Sequence, residues 1–404
     1  MRVLQVNKYF YPRGGAEKSF FLTAEVLEKN GHGVSFFSMR RPENRPSAYE
    51  KYFLGRIDYD GKNGFFGDLK AVTRMLYSFE ARRKVRELVR DERPDIAHLH
   101  NICHQISPSI IDELKDSGIP VVMTLHDFKL TCPVYTHRQN GGVCEACKGR
   151  RFYHALLGRC VRGSITKSAL IMAEMCLHHL ILDIYKKIDL FISPSRFLME
   201  KTKEMGFAGN IAHLPNFIYP ENYVPAYGSE EDNIVYFGRL SPEKGVATLI
   251  EAVKGLSVKL KIIGEGPQKY ELLKKLRSEK IDNVELLGFK SGDSLHNEIR
   301  RSAFTVIPSE WYENNPMSLI ESFALGKAVI GARVGGIPEL VKDDETGLTF
   351  EAGSSMDLRE KISSLLADKA LAVRMGENAR RLAEEELNPG RHYDCLMSIY
   401  KRLI

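Results

Sequence analysis

No stretch of this 404-residue chain is apolar for long enough to cross a bilayer. The most apolar helical candidate, residues 169–185, is interrupted by Glu174, His178, His179 and Asp183, whereas a spanning helix needs about 20 predominantly apolar residues. The opening MRVLQV runs straight into strand-like sequence and has no leader pattern. Both absences set the expectation of a cytoplasmic protein. Cysteine is scarce and unevenly spread: of seven, four fall between residues 131 and 164. In a reducing cytoplasm that rules against a disulfide framework. The cluster also lacks aromatics interleaved at a repeating spacing, which argues against a nucleic-acid reader.

What is present is an ordinary globular composition, 43% hydrophobic and 27% charged, in a chain long enough for two to three domains. The net charge of +6 hides an asymmetry. Residues 1–216 carry 33 Lys and Arg against 23 Asp and Glu; residues 217–404 carry 25 against 29. A basic half suits an acidic partner or an anionic membrane surface, and a solvated basic helix face such as 81–90 explains it equally well. Short apolar runs at 34–37, 96–99, 121–125 and 188–192 alternate with helical spacing after the first strand, VLQVN. A second alternation begins after a stretch rich in proline, 215–232, with strands at 234–237, 260–263, 284–287 and 303–307. Such alternation implies two parallel α/β sheets.

The stretch 308–326, PSEWYENNPMSLIESFALG, is the most informative. Asn315 is a suitable N-cap and Pro316 a suitable first helical residue. The amides of Met317, Ser318 and Leu319 are then expected to be free for an anion. Glu321 lies one turn on and leans back toward the same spot, and Glu313 precedes the helix. Two carboxylates thus flank a phosphate site, a layout suited to a sugar diphosphate. In GRLSPEKG (238–245), Ser241 is expected to cap and Pro242 to start a helix, with Lys244 in its first turn; Arg239 sits at the same rim. A lysine there is opposed by the helix dipole, so it calls for a nearby anion, and the pair makes a clamp for a diphosphate. Gly238, Gly264 of IIGEGP and Phe289 of LGF share this rim and are placed to cradle a base.

In the first half, Gly14 and Gly15 precede a helix and allow close approach by a ligand, although a glycine pair is often simply the turn. His98 and His100 end one strand; His126 and Asp127 end the next. His126 is the stronger candidate for touching a sugar hydroxyl, whereas His98 reads as satisfied by its surroundings. Cys144 and Cys147 have the spacing for one tetrahedral ion, which Cys132 and Cys160 complete. This glycine-rich insertion is too polar to be held by a core, so a structural zinc is expected. Free thiols and an iron–sulfur cluster are the alternatives, with His137 or His154 able to replace one sulfur. Cys103, Cys176 and Cys395 read as packed. Residues 168–185 read as one long helix that packs on the sheet or lies against a membrane surface.

In order, GGAE, TLHDF (124–128), SPS (193–195), FGRLSPEKG, IIGEGP, PSEWYENNPMSLIESFALGKAVI and VGGIPELV (334–341) resemble the retaining glycosyltransferases of family 4, over nearly the whole chain. The cysteine insertion resembles one in members associated with exopolysaccharide or capsule synthesis. The resemblance implies the α/β GT-B fold, two Rossmann-like parallel-sheet domains facing each other across a cleft. The expected division is 1–214 with insertion 131–164, linker 215–232, nucleotide-sugar domain 233–385, and a C-terminal helix 386–404 crossing back.

The resemblance also implies roles. Arg239 and Lys244 would hold the leaving diphosphate of a nucleotide-diphosphate sugar, Glu321 the ribose, and Glu313 and His126 the transferred sugar. The helix start Asn315, Pro316, Met317, Ser318 and Leu319 would serve the sugar or phosphate, and Gly14 and Gly15 the acceptor side. Asn314, Asn315 and Pro316 stand where many members have glycine–phenylalanine–glycine, so donor choice does not carry over. The implied acceptor is a glycan or lipid-linked glycan, no catalytic divalent metal is required, and no nucleic acid is a partner. Two other readings compete: a sugar-nucleotide epimerase or hydrolase, which would turn over donor without acceptor, and a cysteine–metal nucleic-acid-binding protein, disfavoured because the cation clamp lies in the acidic half.

Overall fold

In the computed structural model the described residues are 1–57, 71–139, 141–229 and 231–404, so Asn140 of the insertion and Glu230 of the linker lie outside them. The chain forms two compact units. One comprises 1–139, 144–215 and 393–404; the bulk of the other is Asn216–His392.

The first unit is built on six parallel strands: β1 (Arg2–Val6), β2 (Gly33–Phe37), β3 (Ile96–Leu99), β4 (Val121–Thr124), β5 (Leu190–Ser193) and β6 (Ile211–His213). They lie in the order β2-β1-β3-β4-β5-β6. All four residues of β3 and of β4 are buried, as a sheet covered on both faces demands. One core cluster unites Val3, Ile96, Val122 and Ile192 of the strands with Leu27 and with Leu396, Met397, Ile399 and Tyr400. The last four belong to the helix Pro389–Lys401, whose C-terminal part therefore completes this unit's core.

The expected single helix over 168–185 is not one helix. An α-helix runs Ile165–Cys176, capped by Ser164, whose hydroxyl accepts the Lys167 N–H at 3.3 Å. It continues as a π-turn, Leu177–Ile181. Asp183, in the left-handed region at φ 44°, then breaks it before the 3-10 turn Ile184–Lys187. Within the π-turn His178 and His179 are both buried.

The second unit has β7 (Asn233–Phe237), β8 (Lys259–Ile263), β9 (Val284–Gly288), β10 (Thr305–Ile307), β11 (Val329–Ala332) and β12 (Gly347–Phe350). They are all parallel and ordered β9-β8-β7-β10-β11-β12. That order reverses between β7 and β10, and a ligand crevice opens beyond the carboxyl ends of the strands at such a reversal. Among the described residues no helix is long and apolar enough to cross a membrane.

Candidate active site

The loops leaving β7 and β10 meet at that reversal. Lys244 Nζ lies 2.6 Å from Glu313 Oε1, and Ser309 donates its hydroxyl to the same oxygen at 2.6 Å. Lys244 also stands 5.3 Å from the centroid of the Trp311 ring. Burial by itself would raise the Glu313 carboxyl, but the Lys244 ammonium, the Ser309 hydroxyl and the Trp311 indole outweigh it and hold it below its usual range. A buried anion is thus kept ionised by a cation that remains partly open to solvent. The Glu313 backbone is pinned too, its carbonyl accepting the Gly336 N–H at 2.8 Å.

The turn before this pair differs from its expected form. Pro242–Lys244 is a 3-10 turn closed by Gly245, and the α-helix begins at Val246. Lys244 is therefore outside the α-helix, and its offsetting anion is Glu313. Ser241 does not cap; its hydroxyl donates to Glu243 at 2.6 Å. Arg239 is exposed, and its guanidinium has no hydrogen bond or ion pair among the described residues. Its carbonyl accepts the Tyr236 hydroxyl at 2.8 Å, which fixes the loop from below.

The helix after β10 runs Met317–Ala324 with Pro316 as N-cap in extended conformation. Pro316 is thus one position outside the expected helix, and Asn315 does not cap it. The Asn315 amide oxygen accepts the Asn216 N–H at 3.0 Å, while the Asn216 side chain donates to the Asn315 carbonyl at 2.9 Å. The first turn is tight: the Leu319 N–H bonds the Pro316 carbonyl at 3.0 Å. Leu319 is therefore withdrawn from the expected set of free amides, leaving Met317 and Ser318. Glu321 is half-buried one turn along.

Gly238 and Gly264 stitch three strand ends together, the Gly238 N–H bonding Ile263 O at 3.0 Å and the Gly264 N–H bonding Gly288 O at 2.8 Å. Gly264 has φ 148°, and a Cβ there would meet the Gly238 carbonyl oxygen at 1.8 Å, so glycine is obligatory. Phe289 follows at the rim with its side chain 73% exposed.

In the first unit three imidazoles line up at the carboxyl ends of β3 and β4. His98 and His100 stack at 4.5 Å between centroids, and His100 and His126 at 5.1 Å. His98 is satisfied by Tyr400 Oη and Thr124 Oγ1, each at 2.7 Å. His100 Nδ1 faces His126 Nε2 at 2.8 Å and His100 Nε2 faces Gln5 Oε1 at 3.0 Å. Burial pushes His126 down to about 3, with Lys8 adding to the effect. His126 therefore acts as a neutral imidazole, able to share a hydrogen bond with a hydroxyl but carrying no charge near neutral pH. Gly14 has extended backbone, and a Cβ there would meet nothing closer than Glu17 Oε2 at 3.6 Å. No backbone strain requires glycine there, and Gly15 opens the helix Gly15–Lys29. Sequence reasoning missed the cations beside this turn. Arg13 lies 4.5 Å, Arg41 5.2 Å and Lys8 5.6 Å from the Tyr9 ring centroid, and none has an ion pair among the described residues.

Cys132, Cys144, Cys147 and Cys160 are brought together. Burial, then the neighbouring Cys132, Cys160 and Cys144, push the Cys147 thiol up to about 12, and Cys160 is raised by burial and by Cys132 and Cys144. Backbone N–H groups of His137, Val134 and Thr136 point at the Cys132 sulfur, and that of Ala155 at Cys147. His137 is not available to replace a sulfur: its ring nitrogens face Cys144 O at 2.9 Å and Thr131 Oγ1 at 3.0 Å. As placed, no group of three or more His, Cys, Asp or Glu side chains among the described residues is set to hold a metal ion. The donor set suits zinc, and Cys144 Sγ lies 3.4 Å from Gln139 Oε1.

Two units, each a six-stranded parallel sheet, make up the GT-B fold. Residues 13–222 match the profile described as Glycosyltransferase Family 4, and 224–382 that of Glycosyl transferases group 1; the chain belongs to glycosyltransferase family 4. It is 34% identical to an uncharacterized glycosyltransferase of Methanocaldococcus jannaschii, across 95% of this chain and 94% of that one. It is 25% identical to an uncharacterized 42.6 kDa protein from the cps region of Klebsiella pneumoniae, across 84% and 87%. Among solved structures, sucrose-phosphate synthase of Thermosynechococcus elongatus superposes with a TM-score of 0.73 at 17% identity, covering 100% of this chain and 99% of that one. Anabaena HepE, solved with UDP and glucose, superposes at 0.67 and 16%, with full coverage of both chains.

Proposed function

We propose that the protein moves a sugar, with retention, from a nucleotide-diphosphate sugar to a hydroxyl of a glycan or lipid-linked glycan in cell-surface polysaccharide synthesis, working at the cytoplasmic side of a membrane. The observation that carries this reading is the Lys244–Glu313 pair at the strand reversal. Lys244 and Arg239, which has no ion pair among the described residues, supply positive charge where a diphosphate departs, and such preorganised charge is the main requirement of this chemistry. Glu321 takes the ribose hydroxyls, Phe289 and Gly264 border the base, and Glu313 binds the transferred sugar. The amides of Met317 and Ser318, held by the locked Asn315–Pro316 turn, face the phosphate or sugar.

In the reaction, the bond from the anomeric carbon to the diphosphate oxygen breaks, its electron pair leaving with the diphosphate. The acceptor oxygen forms the new bond on the same face, and its proton passes to the departing phosphate oxygen. His126, neutral, shares a hydrogen bond with a sugar hydroxyl. Arg13 and Arg41 beside Tyr9, without an ion pair among the described residues, favour an acceptor that bears a phosphate or another anionic group, with the Gly14 turn alongside. The capsule-region relative supports the assignment to surface polysaccharide. The four cysteines are proposed to close around a structural zinc, which would tie the insertion down and take no part in catalysis.

Incubation with a panel of nucleotide-diphosphate sugars and lipid-linked acceptors tests this reading. Nucleotide release should depend on added acceptor and give an axial or equatorial linkage matching the donor anomer. Release that ignores acceptor would favour the hydrolase or epimerase alternative. Glu321→Ala should weaken donor binding by about 1 to 3 kcal/mol, measured by calorimetry; unchanged affinity would remove the ribose assignment.

A further inference from the structure

The helix Ile165–Cys176 with its π-turn Leu177–Ile181 is built inside out. Its buried positions are Ser168, Glu174, Met175, His178 and His179. Among their polar groups, Glu174 Oε2 meets Lys129 Nζ at 2.8 Å and His104 Nε2 at 3.1 Å, and His178 Nε2 meets the Leu76 carbonyl at 2.6 Å. Its exposed positions are Ile165, Ala173, Leu180 and Ile181, with Thr166 and Lys167 at its N-terminal end. Ile165 is 53%, Leu180 52% and Ile181 73% exposed, and Leu157, ending the short helix His154–Leu157 packed against it, is 70% exposed. From residue 165 to 181 the charged side chains are Lys167 and Glu174 alone, and Glu174 is on the inside. A helix facing water has the opposite pattern, so the outer face is shaped for an apolar environment.

The rim of that face is basic. Residues 143–187 hold eight Lys and Arg against three Asp and Glu. Arg151, Arg159, Arg162 and Lys167 are exposed around the apolar positions, and neither Arg159 nor Lys167 has an ion pair among the described residues. Apolar side chains flanked by Arg and Lys match the interface of an anionic bilayer, where the first enter the acyl boundary and the second reach the phosphates. A second copy of the chain would be a poor occupant, because a two-fold contact through this face would set like charges opposite each other.

We propose that Leu157, Ile165, Leu180 and Ile181, with the Arg159 and Lys167 rim, form the surface by which this protein docks on an anionic lipid bilayer. This inference stands on the first unit alone and does not depend on which sugar is transferred. The full chain is sedimented with phosphatidylcholine vesicles and with vesicles containing about one third phosphatidylglycerol, at about 0.1 M and about 0.5 M salt. Binding is expected on the anionic vesicles, weaker at high salt. Leu157→Glu/Ile181→Glu and, separately, Arg159→Glu/Lys167→Glu should each lower it by about tenfold or more. Circular dichroism and the melting temperature show that both variants fold; should either fail, Arg159→Gln/Lys167→Gln replaces it, with a loss of about tenfold expected. Equal binding to both vesicle types, binding unchanged in the folded variants, or self-association abolished by Ile181→Glu without lipid binding would each overturn the proposal.

Discussion

Lys244 and Glu313, 69 residues apart, make a 2.6 Å ion pair in which the carboxylate is buried and the ammonium stays partly open. The asymmetry suits the two side chains to the separate roles proposed for them. Glu313 is fixed by Ser309 and by Lys244, so it can hold a hydroxyl in one place; Lys244 keeps a free side toward whatever anion arrives. Lys244→Met should therefore lower kcat by about a hundredfold or more and also destabilise the fold by a few kcal/mol, because Glu313 is left buried without its cation. The double variant Lys244→Met/Glu313→Gln should regain stability in urea titrations without regaining turnover. Near-normal kcat in the single variant would remove Lys244 from the reaction.

Gly335 gives a backbone route to the same carboxylate. It has φ 63°, and a Cβ there would lie 2.2 Å from the Glu313 carbonyl oxygen and 2.5 Å from its nitrogen. Neither atom can yield without moving the Glu313 loop. Gly335→Ala should cost about 1 to 3 kcal/mol and depress activity by displacing Glu313, whereas Gly353→Ala, with positive φ but open space around it, should cost stability and leave activity alone. Equal activity in the two variants would show that the Gly335 contact does not position Glu313.

The alternation of apolar runs with helical spacing was enough to read both sheets, and β3 matches its expected span, 96–99, residue for residue. β6, β11 and β12 were passed over. β6 and β12 lie at sheet edges, where a strand needs only a short, mixed pattern, and β11 is a four-residue run, VIGA, broken by glycine. At the site, residue types were legible and pairings were not. Nothing in 238–245 says that Lys244 leaves the helix; that follows from Gly245 in the left-handed region at φ 66°. Likewise Asn315 has the chemistry of an N-cap, yet tertiary contact with Asn216 claims its side chain. Polarity is read locally, whereas partners are chosen by the fold.

The four-cysteine cluster makes a prediction that is independent of catalysis. Protein purified without chelator should carry about one zinc per chain by elemental analysis, and cobalt substitution should give the charge-transfer absorption of thiolate ligation. Cys144→Ser should lose the metal and lower the melting temperature, with donor binding in the second unit unaffected. Metal-free protein with an unchanged melting temperature would overturn the zinc assignment.

The buried imidazoles set the response to acid. Burial lowers His126 to about 3, and burial together with His178, Lys129 and Arg150 lowers His179 to about 3, against 6.5 for the free side chain. Between those values the unfolded chain binds protons that the native chain refuses, so the stability these groups contribute is complete above 6.5 and is lost as pH falls toward 3. Each such proton steepens the loss by about 1.4 kcal/mol per pH unit. Urea midpoints measured from about pH 7 to about pH 5 should fall, with His100, His137 and His178, also lowered by burial, adding to the slope, and His179→Phe should reduce that slope by about one proton toward its acid end. The side chain of His179 is 3% exposed and lies 4.8 Å from the ring of Tyr185, so an aromatic replacement keeps the packing while deleting the titration. Stability that stays level over that range, or a slope the His179 variant does not change, would show that the native state takes up these protons after all.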